Sequence, residues 1–368
     1  MTIAILYRDE LREYDFGPGH PFRGDRYELF PEFLKKMLPG ASTYVVLKSD
    51  WAREEDLRLI CNQDYIDFTK GYFEAASLGL SYPGIFSVYH SGDNKPQGRP
   101  GKLEEAARLM IGQAKQAVDI IQRGEYDKAF CIGGNMHHAK PSYGEGFCLY
   151  NDNAFAAKYL IDRYGLEKII ILDTDAHQGN GTCEYFYSDP RVLFIDLHQD
   201  PRTLYPGTGF ADEIGEGEGL GFTINVPMPV YAGYDSYRLV LDEIVLPVSQ
   251  EFQPQIVIRN GGSDPHFADG LTSLGLPVRG FSMIGEKVRG IAELCHGKQI
   301  DFIGSGYNRE VLPNAWMALI SGSSGFGLKL TDPFPVPQRF QTDQVLENTR
   351  GVIKQVKDNL HPFWKCFA

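Results

Sequence analysis

Short, continuous apolar runs recur along this sequence, and many of them end in Gly, Asp or His. The clearest are 128–134 (KAFCIGG), 169–175 (IIILDTD), 192–198 (VLFIDLH), 255–264 (QIVIRNGGSD) and 301–307 (DFIGSGY). Continuous apolar runs, unlike alternating ones, are typical of strands that are buried on both faces of a parallel sheet. The pattern therefore predicts a parallel sheet whose strands end in polar residues.

Segments with the spacing of amphipathic helices lie between these runs. Residues 103–121 are rich in Ala, and residues 153–164 follow Asp152 as a predicted N-cap and stop at Gly165. A last helix is predicted to begin after Thr342, which can cap it.

The alternation of strands and helices continues along the whole chain and predicts a single doubly wound α/β domain over residues 1–368. Functional residues of such sheets gather beyond the carboxyl ends of the strands. Polar residues stand at those ends here, so the strand ends are the first place to look for chemistry.

Composition and charge exclude several classes of protein. The chain is 43% hydrophobic and 23% charged, and its net charge of −12 argues against nucleic-acid or anionic-membrane partners. It has no apolar run of about 18 residues and no basic segment before an apolar stretch at its start, so neither a membrane span nor a secretory signal is expected. Six scattered cysteines without CxxC spacing predict reduced thiols and a cytoplasmic location.

Two polar side chains at the end of the run 169–175 suggest half of a metal site. Asp175 and His177 are two positions apart, so in an extended segment they point the same way, although ordinary polarity at a strand end also explains such a pair. Asp264 ends another predicted strand, after paired glycines that allow close backbone approach. Three protein ligands with a fourth position left for water are typical of a catalytic zinc.

Two further segments supply groups for proton transfer and charge stabilisation. His137 and His138 follow a predicted strand, where one surface and one packed histidine is the alternative to a general acid–base pair. Tyr307 follows Gly-Ser-Gly at another strand end, where a phenol can donate to an oxyanion. Alone, a tyrosine after glycines indicates little.

The joint order of the motifs HH, DxDxH, GGSD and GSGY resembles the histone deacetylase superfamily, which includes lysine deacetylases, acetylpolyamine amidohydrolases and acetoin-utilisation proteins. The segments GPGHPFRGDRY, SGDNKP, GEGFCLYND and YPGTG extend the resemblance over most of the chain. It is greatest to bacterial and archaeal acetoin-utilisation-like members, whereas DAHQGNG looks like the class IV form. The resemblance implies the arginase/deacetylase fold, a three-layer αβα arrangement around a central, mostly parallel eight-stranded sheet.

The resemblance also implies roles for individual residues. It makes Asp175, His177 and Asp264 the ligands of one catalytic Zn²⁺. The other implied positions are the histidine pair (His137, His138) with its partners (Asp173, Asn180), the carbonyl-polarising phenol (Tyr307), the acyl-lysine tunnel and rim (Asp93, Gly146, Phe147, Tyr205, Leu271), an inner channel (Arg26), and a second site for K⁺ or Na⁺ (Asp173, Asp196).

The sequence departs from the family pattern at three of these positions. The commoner HHGDG reads HQGNG, so Gln178 replaces a histidine and Asn180 an aspartate. We expect His138 to lack a carboxylate partner, and a neutral partner makes it the less basic histidine, which suits proton transfer near neutrality. Asp196 stands where a serine is common, and it either strengthens a bound cation or caps a turn.

The implied reaction removes an acyl group from the side-chain amine of lysine in a protein or peptide, or from a small acylated amine. An acetylpolyamine amidohydrolase uses the same chemistry, and Glu145 beside Gly146 is compatible with a cationic substrate. An arginase-like di-manganese ureohydrolase would need further ligands near His137 and would leave GSGY unexplained. A non-enzymatic binding module is the third alternative. The acyl chain length and the oligomeric state stay open.

Overall fold

The computed structural model describes residues 3–38 and 44–368. Its strands are β1 (Ile3–Leu6), β2 (Val45–Leu47), β3 (Lys128–Ile132), β4 (Ile169–Asp173), β5 (Val192–Gln199), β6 (Thr223–Met228), β7 (Ile256–Gly261) and β8 (Gln299–Ile303). They form one parallel sheet in the order β2-β1-β3-β8-β7-β4-β5-β6, which helices flank. This architecture confirms the predicted αβα fold.

Thirteen α-helical segments are found among the described residues. They are α1 (Arg26–Met37), α2 (Glu54–Leu57), α3 (Gln63–Ser77), α4 (Phe86–Tyr89), α5 (Leu103–Gln122), α6 (Asp152–Tyr164), α7 (Asn180–Phe186), α8 (Tyr234–Val240), α9 (Leu246–Phe252), α10 (Val278–Glu293), α11 (Leu312–Ser324), α12 (Gln338–Gln341) and α13 (Leu346–Leu360). None of them is both long enough and apolar enough to cross a membrane.

The backbone divides into two compact units, each with its own buried apolar residues. The first comprises the described residues up to Gly165 together with Phe302–Gly304, and the second comprises Leu166–Asp301 and Ser305–Ala368. In the first unit α5 buries an apolar stripe, as its helical spacing predicts. In the second, the continuous apolar strand β4 is fully buried. The interpretation of residues 1–368 as one catalytic domain stays a prediction.

Four of the five predicted strands end earlier than the apolar runs suggested, whereas β5 continues to Gln199, one residue beyond its run. β4 stops at Asp173 and β7 at Gly261, so the polar residues that follow lie in the loops after the strands. Two predicted caps were wrong. Asn151, not Asp152, caps α6 by accepting the Ala154 N–H, and α13 begins at Leu346 without a side-chain cap, so Thr342 does not cap it.

Candidate active site

The loops after β4 and β7 bring the three predicted metal ligands together in the second unit. One ligand atom each from Asp175, His177 and Asp264 lies within 4.8 Å of the others. Nδ1 of His177 is 3.1 Å from Asp175 Oδ1 and 3.2 Å from Asp264 Oδ2. Both carboxylates are fully buried, and the histidine is nearly so. Two buried carboxylates this close cannot both stay ionised without a positive charge beside them or a shared proton.

The protonation of this cluster reflects that requirement. Burial alone would lower the pKa of His177, but hydrogen bonds to Asp175 and Asp264 and their charges outweigh it and raise the pKa to about 10. Burial, followed by repulsion from Asp175, raises the pKa of the Asp264 carboxyl. Both shifts favour protons held within the cluster in metal-free protein.

The donor set fits a zinc ion. Tetrahedral zinc ligands at about 2.0–2.2 Å from the ion stand about 3.3–3.6 Å from one another, close to the spacing seen between His177 and the two carboxylates. Imidazole and carboxylate donors bind zinc but also accept other divalent transition metals. Asp175, His177 and Asp264 would hold such an ion, and three protein ligands leave coordination positions for water and substrate.

Neighbouring side chains fix the orientation of these ligands. Ser305 donates its hydroxyl to Asp264 Oδ1 at 2.9 Å. Asp173 accepts the Asp175 N–H through Oδ1 at 3.0 Å and the Asn260 side-chain amide through Oδ2 at 2.9 Å. Partners that orient metal ligands in this way are usually as important as the ligands themselves. Sequence reasoning missed Ser305 and Asn260.

Tyr307 and Leu271 are tied to a common carboxylate that the sequence did not single out. Asp269 accepts the backbone N–H of Tyr307 through Oδ2 at 2.8 Å and that of Leu271 through Oδ1 at 2.9 Å. Burial raises the pKa of Asp269. Leu271 is 39% exposed and Tyr205 is 40% exposed, and their place at a substrate rim stays a prediction.

Asp196 has two protein partners of its own. It lies opposite Asp173 in the register of β4 and β5. Its Oδ1 is 2.8 Å from Nδ1 of His198, and its Oδ2 accepts the Gly179 N–H at 2.8 Å, just before α7. Burial raises the pKa of Asp196 to about 6. Burial would lower the pKa of His198, but the charge of Asp196 outweighs burial and raises it. Both predicted roles of Asp196, in a cation site and as the cap of a turn, stay predictions, and the contact with His198 was not foreseen.

Gln178, the first departure from the family pattern, is also buried. Its Oε1 accepts the Thr208 hydroxyl at 2.8 Å, so it joins the loop after β4 to the loop that contains Tyr205. Asn180 is the first residue of α7. The proposed weakening of His138 basicity by Asn180 stays a prediction.

The histidine pair lies in the first unit, in the loop after β3. His137 and His138 are buried, and their ring centroids are 4.1 Å apart. Hydrogen bonds from the start of α6 fix this loop: Asn151 donates to the His137 carbonyl, and Asp152 accepts the N–H groups of Asn135 and Met136. Asp152, predicted as a helix cap, is therefore an anchor of the histidine loop.

The predicted tunnel residues Gly146 and Phe147 both have left-handed backbone, with φ of 58° and 65°. A Cβ on Gly146 would lie 2.2 Å from Cδ2 of His138, so the ring packs directly on the glycine backbone. The carbonyl of Phe147 accepts the Tyr14 hydroxyl at 2.6 Å. Gly146 is thus the residue that leaves room for the His138 imidazole.

An aromatic cluster surrounds Phe147. Its ring contacts those of Phe16, His20 and Phe22, at centroid distances of 6.2, 4.7 and 6.3 Å. These residues belong to the segment GPGHPFRGDRY and the residues before it, yet sequence reasoning gave only Arg26 a role there. Aromatic side chains without regular spacing carry little signal in a single sequence.

Asp93 bonds to Gly146, a predicted tunnel residue, as well as to its own turn. Oδ2 accepts the Gly146 N–H at 3.1 Å, and Oδ1 accepts the hydroxyl of Ser91. Its backbone carbonyl accepts from Nε2 of His20 at 2.8 Å. The carboxylate is half-buried and lies at Gly146, which the turn alternative alone does not explain.

Arg26 is buried at the start of α1. Its Nη1 donates to the Gly304 carbonyl at 2.8 Å, Nε donates to the Arg23 carbonyl at 3.0 Å, and the guanidinium stacks 3.9 Å from the Phe22 ring centre. The guanidinium brings a positive charge to this buried position. That charge is compatible with passage of a carboxylate product.

Known proteins resemble this chain over its whole length. The model of the histone deacetylase domain matches residues 20–323. A probable deacetylase of Archaeoglobus fulgidus is 35% identical with full coverage of both chains, and the acetoin utilization protein AcuC of Staphylococcus aureus strain COL is 34% identical, covering 85% of this chain and 79% of that one. The crystal structure of the HDA15 HD domain superposes with a TM-score of 0.81 at 24% identity, covering 100% of this chain and 97% of that one, and shows the shared fold.

These matches define the class of protein. The chain belongs to the histone deacetylase family, as its motifs indicated. It is a deacetylase, a hydrolase of a family in which zinc dependence is typical.

Proposed function

We propose that this protein is a zinc-dependent amidohydrolase that removes an acetyl or longer acyl group from the side-chain amine of lysine in proteins or peptides. The observation that carries the proposal is the buried cluster of Asp175, His177 and Asp264 in a chain of the histone deacetylase family. Its donor types and spacing suit a catalytic zinc ion. When bound, zinc would polarise the substrate carbonyl and lower the pKa of water.

The remaining chemistry belongs to the chain's own side chains. His138 takes a proton from the attacking water and passes it to the lysine nitrogen as the carbon–nitrogen bond breaks. The Tyr307 hydroxyl donates a hydrogen bond to the oxygen that gains negative charge. His137, with Asp173 as its predicted partner, supports His138. The products are a carboxylate and a free amine, and Arg26 offers a positive charge along an exit for the carboxylate.

The rim favours a peptide over a free polyamine. Ionised carboxylate oxygens have about four lone-pair sites in all. Asp93 uses one on Gly146 N–H and one on Ser91, and its remaining sites can accept backbone N–H groups that flank an acylated lysine. The exposed side chains of Tyr205 and Leu271 offer apolar surface that suits contact with a peptide.

Two further predictions accompany this proposal. A monovalent cation at Asp173 and Asp196 would share the Asp196 carboxylate with His198. Added K⁺ should therefore raise the thermal stability of this protein less than it would if no histidine contacted that carboxylate. All six cysteines, which lie within the described residues, are free thiols; the cytoplasmic location stays a prediction.

A substrate panel tests the proposal. Acetyl-lysine peptides, longer acyl-lysine peptides and acetylpolyamines are offered to zinc-loaded protein, with and without a chelator. We expect chelator-sensitive turnover that is highest with an acyl-lysine peptide. Preference for acetylpolyamines would replace the substrate assignment, and chelator-resistant turnover would overturn zinc dependence.

A further inference from the structure

The start of α6 is joined to the histidine loop by a side-chain amide. Asn151 is fully buried, and its Nδ2 donates to the carbonyls of His137 at 3.2 Å and Ala139 at 3.1 Å. Its Oδ1 accepts the Ala154 N–H at 2.9 Å, as the cap of α6. A single side chain therefore satisfies one orphan N–H of the helix and two carbonyls of the loop.

The next residue anchors the other end of the same loop. The fully buried Asp152 carboxylate accepts the N–H groups of Asn135 at 3.0 Å and Met136 at 2.9 Å. Asn135 has left-handed backbone with φ of 83°, and successive N–H groups in such a conformation form a concavity that favours an anion. Here the anion is a side chain of the chain itself.

Only a glycine fits between the anchor and the strand. A Cβ on Gly134 would lie 2.6 Å from Asp152 Oδ2. The loop is thus fixed at the N–H groups on its entry side and at the carbonyls on either side of His138. Backbone held at both ends by buried hydrogen bonds has few alternative conformations.

We propose that Asn151 is a positioning residue for His138, with Asp152 as its partner on the entry side of the loop. This inference rests on the proposed function, because it assumes that His138 transfers protons in the reaction. The Asn151 amide fixes the peptide plane that precedes His138 and the plane that follows Ala139. It thereby sets where the imidazole, packed on Gly146, projects from the backbone.

The alternative is that Asn151 stabilises α6 as an ordinary cap. Serine and asparagine are about equally good caps. Asn151→Ser therefore keeps an acceptor for Ala154 but removes the amide that reaches the two carbonyls. Gly165→Ala is the matched control: Gly165 ends the same helix with φ of 67°, and an added Cβ there meets nothing within 4 Å.

The test measures kcat, KM, zinc content and thermal stability with an acetyl-lysine peptide. We expect Asn151→Ser to lower kcat by about tenfold to a hundredfold, since small displacements of a reacting group cost about that much. KM and zinc content should stay within about twofold, whereas a change in cap strength would alter neither kcat nor KM. Gly165→Ala should lose stability and keep its kcat.

A double-mutant cycle decides between positioning and general structural damage. In a His138→Ala background, Asn151→Ser should cost less than about twofold in kcat, because the residue that it positions is already gone. The same loss in both backgrounds would overturn the inference. If Asn151→Ser does not fold, Asn151→Asp replaces it in the cycle, because aspartate has the same size and keeps the cap acceptor. The same small loss of kcat in the His138→Ala background is then expected. An inactive wild-type protein would overturn the proposed function and this inference together, whereas an active wild type with unaffected Asn151→Ser overturns only the inference.

Discussion

Replacement of Gly146 by alanine should remove activity through the position of a single ring. The new Cβ would lie 2.2 Å from Cδ2, 2.6 Å from Cγ and 2.9 Å from Cβ of His138. An ordinary contact needs about 3.4 Å, so the imidazole must move by roughly 1 Å, and because its own Cβ is also met, rotation of the ring alone does not relieve the clash. Displacement of about 1 Å at a reacting group costs about a hundredfold in rate.

The same substitution also strains the backbone, and this effect needs a control. Alanine in left-handed conformation costs about 1–2 kcal/mol. Gly165→Ala imposes similar strain, with φ of 67° against 58°, but its Cβ meets no atom within 4 Å. We expect both variants to lose thermal stability, Gly146→Ala the more because of its clash, while only Gly146→Ala loses about a hundredfold in kcat on an acetyl-lysine peptide. Equal kcat values in the two folded variants would refute the packing argument.

Three further predictions address the oxyanion donor, the metal and the rim. Tyr307→Phe should fold normally and lose about a hundredfold to a thousandfold in kcat, so a wild-type rate would assign that charge to another group. Zinc binding at pH 7.5 should release at least one proton, because His177, with its pKa of about 10, is protonated in metal-free protein. Calorimetry in two buffers of different ionisation enthalpy measures the number of protons released. The zinc affinity should also rise with pH up to that pKa. Asp93→Ala should raise KM for acyl-lysine peptides more than Asp93→Asn does, because ionised acceptors form the stronger hydrogen bonds. Equal losses in the two variants, together with weaker substrate binding by the wild type in added salt, would favour a polyamine substrate.

The meeting of Asp175, His177 and Asp264 could be predicted from the sequence because polar residues follow the ends of the predicted strands. Each ligand lies just beyond the carboxyl end of a strand, and the apolar runs before Asp175 and Asp264 mark those strands in the sequence. In a parallel sheet such ends share one edge. Motif order then supplied the roles that residue spacing alone leaves ambiguous.

The supports of the site could not be found in the same way. The partner of Ser305 is 41 positions away and that of Asp269 is 38 positions away, whereas Asn151 contacts a different loop. No local spacing in the sequence encodes such contacts. Asn151 did offer a signal, since an asparagine just before a helical pattern is a strong cap. Asp152, the predicted cap, is also a residue type that suits this role, and only the folded loop shows that its carboxylate accepts the N–H groups of Asn135 and Met136.

The central claim is that a metal held by Asp175, His177 and Asp264 is required for removal of an acyl group from lysine. The most direct measurement is turnover of an acetyl-lysine peptide by metal-stripped protein during titration with zinc, beside His177→Ala under the same conditions. Activity should rise to a maximum near one zinc per chain in the wild type and stay at the level without metal in the variant. Full turnover by the metal-stripped protein, or full zinc-dependent turnover by His177→Ala, would contradict the account.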